Sequence, residues 1–287
     1  MSYKIKPKSL FRLGNYSLDW VKDFYDQAGI WWGPDPQESG VHQARAETVE
    51  RLCGPGTKRI LDLGAGPGAT AAAMADLGHT VTAVDLSSMR ADYAQELVKL
   101  QRKGSLTVLE ADFYTVELEG RFDVVCCWQC FGLGSDADQR RLLRRIAQDW
   151  LVPSGCALMD VYTPIKFARD AGQEVRLPPL AGVPGSVEMI ERCHFDPVHC
   201  RWIDEWEPTA APDQALAQNV RCYTPADFLL LLEGTGLALK RIEVDGQDVD
   251  FESNRITKSG PLMVAWSYLV QLMPDGRLSP SQQGGNG

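Results

Sequence analysis

The sequence predicts an α/β fold: a doubly wound, mostly parallel sheet of seven strands, with an N-terminal helical lid and a β-rich insertion after the fifth strand. Three observations carry this. Short apolar runs alternate with helical stretches between residues 59 and 161, and that alternation builds right-handed crossovers and a parallel sheet. A glycine-rich turn, Gly64-Ala65-Gly66-Pro67-Gly68, directly follows the first run. The alternation stops after Tyr162 and resumes near Thr224, which makes residues 163–219 an insertion.

The aromatic lead-in, residues 1–40, contains a helix predicted over 17–28 by Leu18, Val21, Phe24 and Tyr25, and Gly33-Pro34-Asp35-Pro36 breaks the chain after it. A helix over 41–53 follows, with Val41, Ala44, Val49 and Leu52 as its apolar positions, stopped by Gly54-Pro55-Gly56. Strands are predicted at 59–63, 79–85, 106–110, 122–127 and 156–161, with helices at 69–77, 88–102 and 136–150 between them. Ser87 or Ser88 caps the second of these helices. In the insertion, 186–194 and 199–206 pair as a hairpin about Asp196-Pro197. Thr224 caps a helix with Pro225 at its first position, and strands at 237–244 and 261–272 complete the sheet. The division is thus an aromatic lead-in (1–40), which the resemblance given below makes a lid, an α/β core (41–162), which it makes cofactor-binding, an insertion (163–219) long enough to be a substrate cap or dimerisation element, the end of the core (220–273) and a Ser/Gln/Gly-rich tail (274–287) expected to be disordered.

Composition excludes several classes of function. The 287 residues are 44% hydrophobic and 23% charged, enough for a core. A net charge of -9, from 29 basic and 38 acidic residues, argues against binding nucleic acid or an anionic membrane. No apolar run reaches the roughly 18 residues of a membrane span, and no signal-peptide stretch follows the basic start, so a cytoplasmic location is expected. The eight cysteines are expected as reduced thiols, mostly in the core.

The chemistry concentrates at the turn. Gly64 and Gly66 let backbone lie against a ligand at the carboxyl edge of the sheet, where such sheets bind ligands. Asp85 ends the next strand about 20 residues on, where a carboxylate accepts ribose hydroxyls; the bland alternative is that it caps the next helix. The turn also satisfies a relaxed dinucleotide fingerprint, Gly64-x-Gly66-x-x-Ala69. Asp62, however, sits two residues before Gly64. It would repel a pyrophosphate but tolerate a sulfonium carrying an amino group. Asp112 followed by Phe113 suits an adenine edge and ring.

Taken together, Ile60-Leu61-Asp62-Leu63-Gly64-Ala65-Gly66-Pro67-Gly68, Val84-Asp85-Leu86-Ser87, Glu110-Ala111-Asp112-Phe113, Phe122-Asp123-Val124-Val125, Leu151-Val152-Pro153-Ser154-Gly155 and Tyr223-Thr224-Pro225-Ala226-Asp227-Phe228 resemble the class I S-adenosylmethionine-dependent methyltransferases of the small-molecule type. The resemblance covers residues 40–162 and 220–272. It implies a Rossmann-like methyltransferase fold, S-adenosylmethionine as cofactor with S-adenosylhomocysteine as product, and methyl transfer to O, N or C of a small molecule. It implies backbone contacts from Gly64, Ala65 and Gly66, Asp85 on the ribose, Leu86 on the adenine, and Asp112 and Phe113 at its edge. A backbone carbonyl of Cys127 or Trp128 would meet the cofactor's ammonium, under a lid holding Tyr25, Trp31 and Trp32. Pro67 departs from the pattern and has no N–H to offer.

Candidates for the acceptor side are His42 as a general base, and Tyr162 and Gln129 after the fifth and fourth strands. Asp160 shares a face with Tyr162 and reads as a buried partner or a pocket acid. Cys127-Trp128-Gln129-Cys130 is formally a C-x-x-C but reads as buried small apolar residues. Cys193-His194 and His199-Cys200 tempt a zinc reading, yet neighbours on a strand point to opposite faces, so no metal is expected. The alternatives kept are a nucleotide-dependent oxidoreductase and a non-methylating or pseudo-enzyme that binds the same cofactor. A small-molecule acceptor and, through the insertion, a homodimer are the expected partners.

Overall fold

The computed structural model describes residues 17–34, 40–251 and 260–276. Helices α1 (Val21–Trp32) and α2 (Gly40–Cys53) precede the sheet. Then β1 (Arg59–Leu63), α3 (Ala69–Asp76), β2 (Thr80–Asp85), α4 (Ser88–Val98), β3 (Ser105–Glu110), β4 (Phe122–Cys127), α5 (Asp136–Arg145) and β5 (Leu151–Tyr162) alternate as expected. The insertion holds α6 (Pro164–Asp170), β6 (Glu174–Leu177), β7 (Met189–Asp196), β8 (Arg201–Pro208) and β9 (Leu216–Arg221). Helix α7 (Pro225–Leu232) and strands β10 (Leu237–Val244), β11 (Gln247–Asp248) and β12 (Ser267–Pro274) finish the chain.

The main sheet runs β11-β10-β12-β5-β4-β1-β2-β3. Strands β1 to β5 are mutually parallel and β12 is antiparallel to both its neighbours. The seven long strands match expectation; the eighth, β11, is a two-residue ribbon on the edge. Strand order reverses between β1 and β4, and a crevice opens there at the carboxyl ends. The turns after both strands therefore face one space. Apolar clusters cover both faces of the sheet, one around Leu61, Trp150 and Phe228, the other around Ile60, Ala71 and Leu158. The second sheet, β6-β7-β8-β9, is antiparallel. It joins α1 and α6 through Val21, Phe167, Trp202 and Val220.

The caps follow the sequence. Ser87 accepts from the Arg90 amide, and Thr224 with Asp227 forms a reciprocal capping box. Several expectations are corrected. Helix α1 starts and ends four residues later than predicted, closing at Gly33, whose φ is +66°. The helix after Ser135 passes into a π-turn at Ile146–Trp150. The last strand starts at Ser267, because Pro261–Met263 is a short 3-10 turn. Helix α2 turns His42, Ala46 and Val49 inward and leaves Val41 on the surface. Four cysteines are not free thiols: Cys53 pairs with Cys156 and Cys127 with Cys130. Residues 1–16 and 35–39 of the lid and 277–287 of the tail lie outside the described residues.

Candidate functional site

At the switch point lies a cavity of about 280 Å³, near the lower end for small-molecule sites. The turn after β1 forms one wall. Gly64 has φ +61° and Gly66 φ +56°, and a Cβ on Gly64 would stand 2.7 Å from the Cys130 Cβ. Only glycine fits there without strain. Ala65 and Pro67 line the same wall.

Asp85 ties the end of β2 to that turn. Its Oδ2 accepts from the Gly66 amide at 2.7 Å and its Oδ1 from the Ser87 amide at 2.9 Å. Each carboxylate oxygen keeps a further lone pair for a ligand. Burial raises the Asp85 pKa, and the two amide bonds and Arg90 oppose it. Leu86 and Phe113 stand beside it on the cavity wall.

At the cavity wall, Asp62 is 1% exposed and neither of its oxygens has a hydrogen-bond partner. Burial pushes its pKa up to about 7, Arg45 pulls it down, and Asp85 pushes it up again. Arg45 is shared: it reaches Asp160 at 3.4 Å and lies over the Trp128 ring at 5.4 Å. Asp160 is thus the buried partner of Arg45 and does not line the cavity. Its pKa stands at about 6, raised by burial and restrained by Arg45.

Helix α1 and the insertion form a further wall. Tyr25 and Trp32 line the cavity, and Arg90 sits over both rings at 4.8 and 5.5 Å. Tyr25 donates to Gln218 Oε1 at 2.9 Å, which ties α1 to β9. Burial raises the Tyr25 pKa to about 12, so the phenol stays a donor. Trp31 turns inward instead and is buried outside the cavity lining.

His42, Gln129 and Tyr162 all line the same cavity. His42 is buried, with Nδ1 and the Thr70 hydroxyl sharing a hydrogen bond of 2.8 Å. Tyr162 donates to the Gln129 carbonyl at 3.3 Å, and Gln129 adopts φ +55°. Burial holds the Tyr162 pKa well above the phenol range.

Twelve of the fifteen residues expected from sequence converge on this cavity; Trp31, Asp112 and Cys127 do not line it. Asp112 Oδ1 accepts from the Tyr114 amide at 2.8 Å and caps the turn after β3. Cys127 is buried against its partner Cys130, which itself reaches the cavity. Val21, Asp62, Thr70, Arg45, Arg90, Leu133 and Gln218 complete the wall. Asp62 had a sequence signal in its place two residues before Gly64. The two arginines and Gln218 had none, since helix register and the fold of the insertion bring them in. Among the described residues no cluster of His, Cys, Asp or Glu is arranged to hold a metal. His194 and His199 face Glu205 and Asp196.

An adenosyl sulfonium fits these groups. The unpartnered Asp62 carboxylate matches an ammonium, the bare turn admits backbone contact, and Asp85 can accept from ribose hydroxyls.

Residues 60–155 match the model of a family described as methyltransferase domain. The ubiquinone biosynthesis O-methyltransferase of Xanthomonas axonopodis pv. citri is 31% identical over 167 residues, covering 54% of this chain and 66% of that protein. The chain spans about half to two thirds of the length of the curated relatives it matches. In fold it is similar to the CcbJ methyltransferase from Streptomyces caelestis, with TM-score 0.65 and 21% identity over 88% of this chain and 96% of that one. It is also similar to CalS10, an amino pentose methyltransferase from Micromonospora echinaspora, with TM-score 0.58 and 17% identity over 88% and 97% of the two chains. Residues 60–155 thus form a methyltransferase domain, and the strand order, the glycine turn and the two acids at 62 and 85 agree with the class I S-adenosylmethionine-dependent methyltransferases.

Proposed function

We propose that this chain transfers a methyl group from S-adenosylmethionine to an oxygen, nitrogen or carbon atom of a small molecule. The observation that carries the reading is Asp62, a buried carboxylate with both oxygens unpartnered on the wall of the cavity. A buried anion in that state calls for a cationic partner, and the cofactor brings an ammonium. The O-methyltransferase and amino pentose methyltransferase named above support a small-molecule acceptor.

When bound, the cofactor supplies a methyl group already activated by the positive charge on sulfur. The chain's own work is to align and to dry the site. Gly64, Ala65 and Gly66 present backbone to the cofactor's amino-acid part, and Asp85 holds the ribose. Leu86 and Phe113 flank the adenine, while Tyr25 and Trp32 cover it and exclude water. Trp31, Asp112 and Cys127 act behind the wall in this reading, as packing, turn cap and strand end. His42 accepts a proton where the acceptor is a hydroxyl, with Thr70 orienting the ring; Tyr162 and Gln129 position the acceptor. The setting is cytoplasmic, and the net charge of -9 disfavours a nucleic-acid acceptor.

The test is incubation with methyl-labelled cofactor and pooled small molecules bearing hydroxyl, amine and acidic carbon groups. Label moving into a low-mass product is expected. Label that stays on the cofactor while S-adenosylhomocysteine binds tightly would turn the reading to a non-methylating role.

A further inference from the structure

We infer that Arg90 belongs to the ribose subsite, donating to the oxygen of a ribose hydroxyl whose proton Asp85 accepts. The inference rests on the methyltransferase reading above and adds a binding residue to the site which that reading describes.

Arg90 stands in the first turn of α4, just after the Ser87 cap, and both Arg90 and Asp85 line the cavity. The Arg90 guanidinium lies over the Tyr25 ring at 4.8 Å and over the Trp32 ring at 5.5 Å. A ring face attracts the charge but does not replace a hydrogen-bond acceptor, so the N–H donors of the fork stay unspent. Among the described residues no hydrogen bond and no ion pair uses them, and the buried Nε has no partner. A desolvated donor in that state costs free energy until something accepts from it.

The fork is near the ribose acid. A Cβ added to Gly66 would stand 3.2 Å from Arg90 Nη1, so that nitrogen lies against the bare glycine. The amide of the same glycine donates to Asp85 Oδ2 at 2.7 Å. Arg90 and Asp85 are therefore neighbours at Gly66, with no ion pair joining them. Their charges still act on each other: burial raises the Asp85 pKa, and Arg90 is among the groups that oppose it.

A carboxylate and a guanidinium on one cavity wall, close but out of contact, call for a group that donates to one and accepts from the other. A hydroxyl does both. Its proton goes to Asp85, and a lone pair on its oxygen takes an N–H of Arg90. An ammonium would serve only the acid, and a carboxylate only the guanidinium. Both bonds are charge-assisted, which makes them stronger than bonds between neutral groups. The two aromatic rings of α1 hold the fork in place, so little freedom is lost when the hydroxyl arrives. Arg90 binds the cofactor in this account; methyl transfer itself is not assigned to it.

The experiment is calorimetry on the full chain with S-adenosylhomocysteine and with its 2′-deoxy and 3′-deoxy analogues, each lacking one ribose hydroxyl. Arg90→Met keeps most of the apolar stem and removes the donors. It should weaken S-adenosylhomocysteine about tenfold, the size of a hydrogen bond to a charged group. For at least one analogue the loss should be less than about threefold, because the hydroxyl that Arg90 would meet is already gone. Arg90→Lys keeps a charged donor and should recover part of the affinity for S-adenosylhomocysteine. Where Arg90→Met does not fold, Arg90→Lys takes its place, with a smaller loss again reduced for one analogue. Equal losses for all three ligands would make Arg90 only a packing partner of α1 and overturn the inference, as would unchanged affinity for S-adenosylhomocysteine. Failure of the unaltered chain to bind S-adenosylhomocysteine would sink the methyltransferase reading itself, and the inference with it.

Discussion

The Gly66 amide donates to Asp85 Oδ2 across 2.7 Å, so the turn after β1 and the end of β2 are joined by the acid proposed to hold the ribose. Asp85→Ala therefore removes both a ligand contact and a support of the turn. Calorimetry with S-adenosylhomocysteine should show a loss of about 1–3 kcal/mol in binding. Asp85→Asn keeps an acceptor for Gly66 and should lose less. Equal affinity for all three proteins would reduce Asp85 to a tie within the fold.

Cofactor binding should depend on pH through Asp62. Its pKa is raised to about 7, first by burial. The ionised form attracts an ammonium, so affinity falls as pH drops through about 7, by up to about tenfold per pH unit below it. Stability runs the other way. A carboxyl group whose folded pKa is raised holds a proton that the unfolded chain has released, so its favourable contribution is present at low pH and lost as pH rises from about 4 through about 7. Titrations at several pH values, repeated on Asp62→Asn, check both signs; a flat affinity profile in the unaltered chain contradicts this role.

Gly64→Ala should damage fold and site together. The new Cβ would meet Cys130 at 2.7 Å in a backbone of φ +61°. Overpacking and left-handed strain together should cost about 1–3 kcal/mol in denaturant unfolding, and cofactor affinity should fall with it. Wild-type stability would mean that Cys130 gives way.

Away from the site, Arg51 grips the buried Glu243 with two bonds of 2.7 Å. Arg241 also reaches Glu243, at 3.2 Å. Arg51→Ala should therefore cost about 1–3 kcal/mol rather than the full penalty of a stranded charge. The Arg51 bond holds the Glu243 pKa below its ordinary value. That stability is present above the unfolded carboxyl range and lost as pH falls through the depressed value. Chemical denaturation of both proteins at pH 7 and pH 4 measures it; an equal gap at the two pH values would contradict the assignment.

Much of this was legible in the sequence for a plain reason. Buried parallel strands are nearly continuous apolar runs, so Ile60–Leu63 and Val124–Cys127 announce themselves, and the glycine turn marks the edge where a ligand sits. What escaped was set by non-local partners. In α2, polar His42 packs inward because Thr70 satisfies it, and apolar Val41 is left outside. Strands β6 and β9 are half polar and exist because β7 and β8 offer edges. The Asp112 side chain met a local amide, that of Tyr114. Cys53 and Cys156 lie 103 residues apart, a pairing that spacing does not announce.

The most direct measurement is a calorimetric titration of the full chain with S-adenosylhomocysteine, run beside one with NAD. The account predicts saturable binding of the first at one site per chain, weakened by Asp62→Asn and Asp85→Ala, and none of the second. Saturable binding of NAD with no heat from S-adenosylhomocysteine would contradict it.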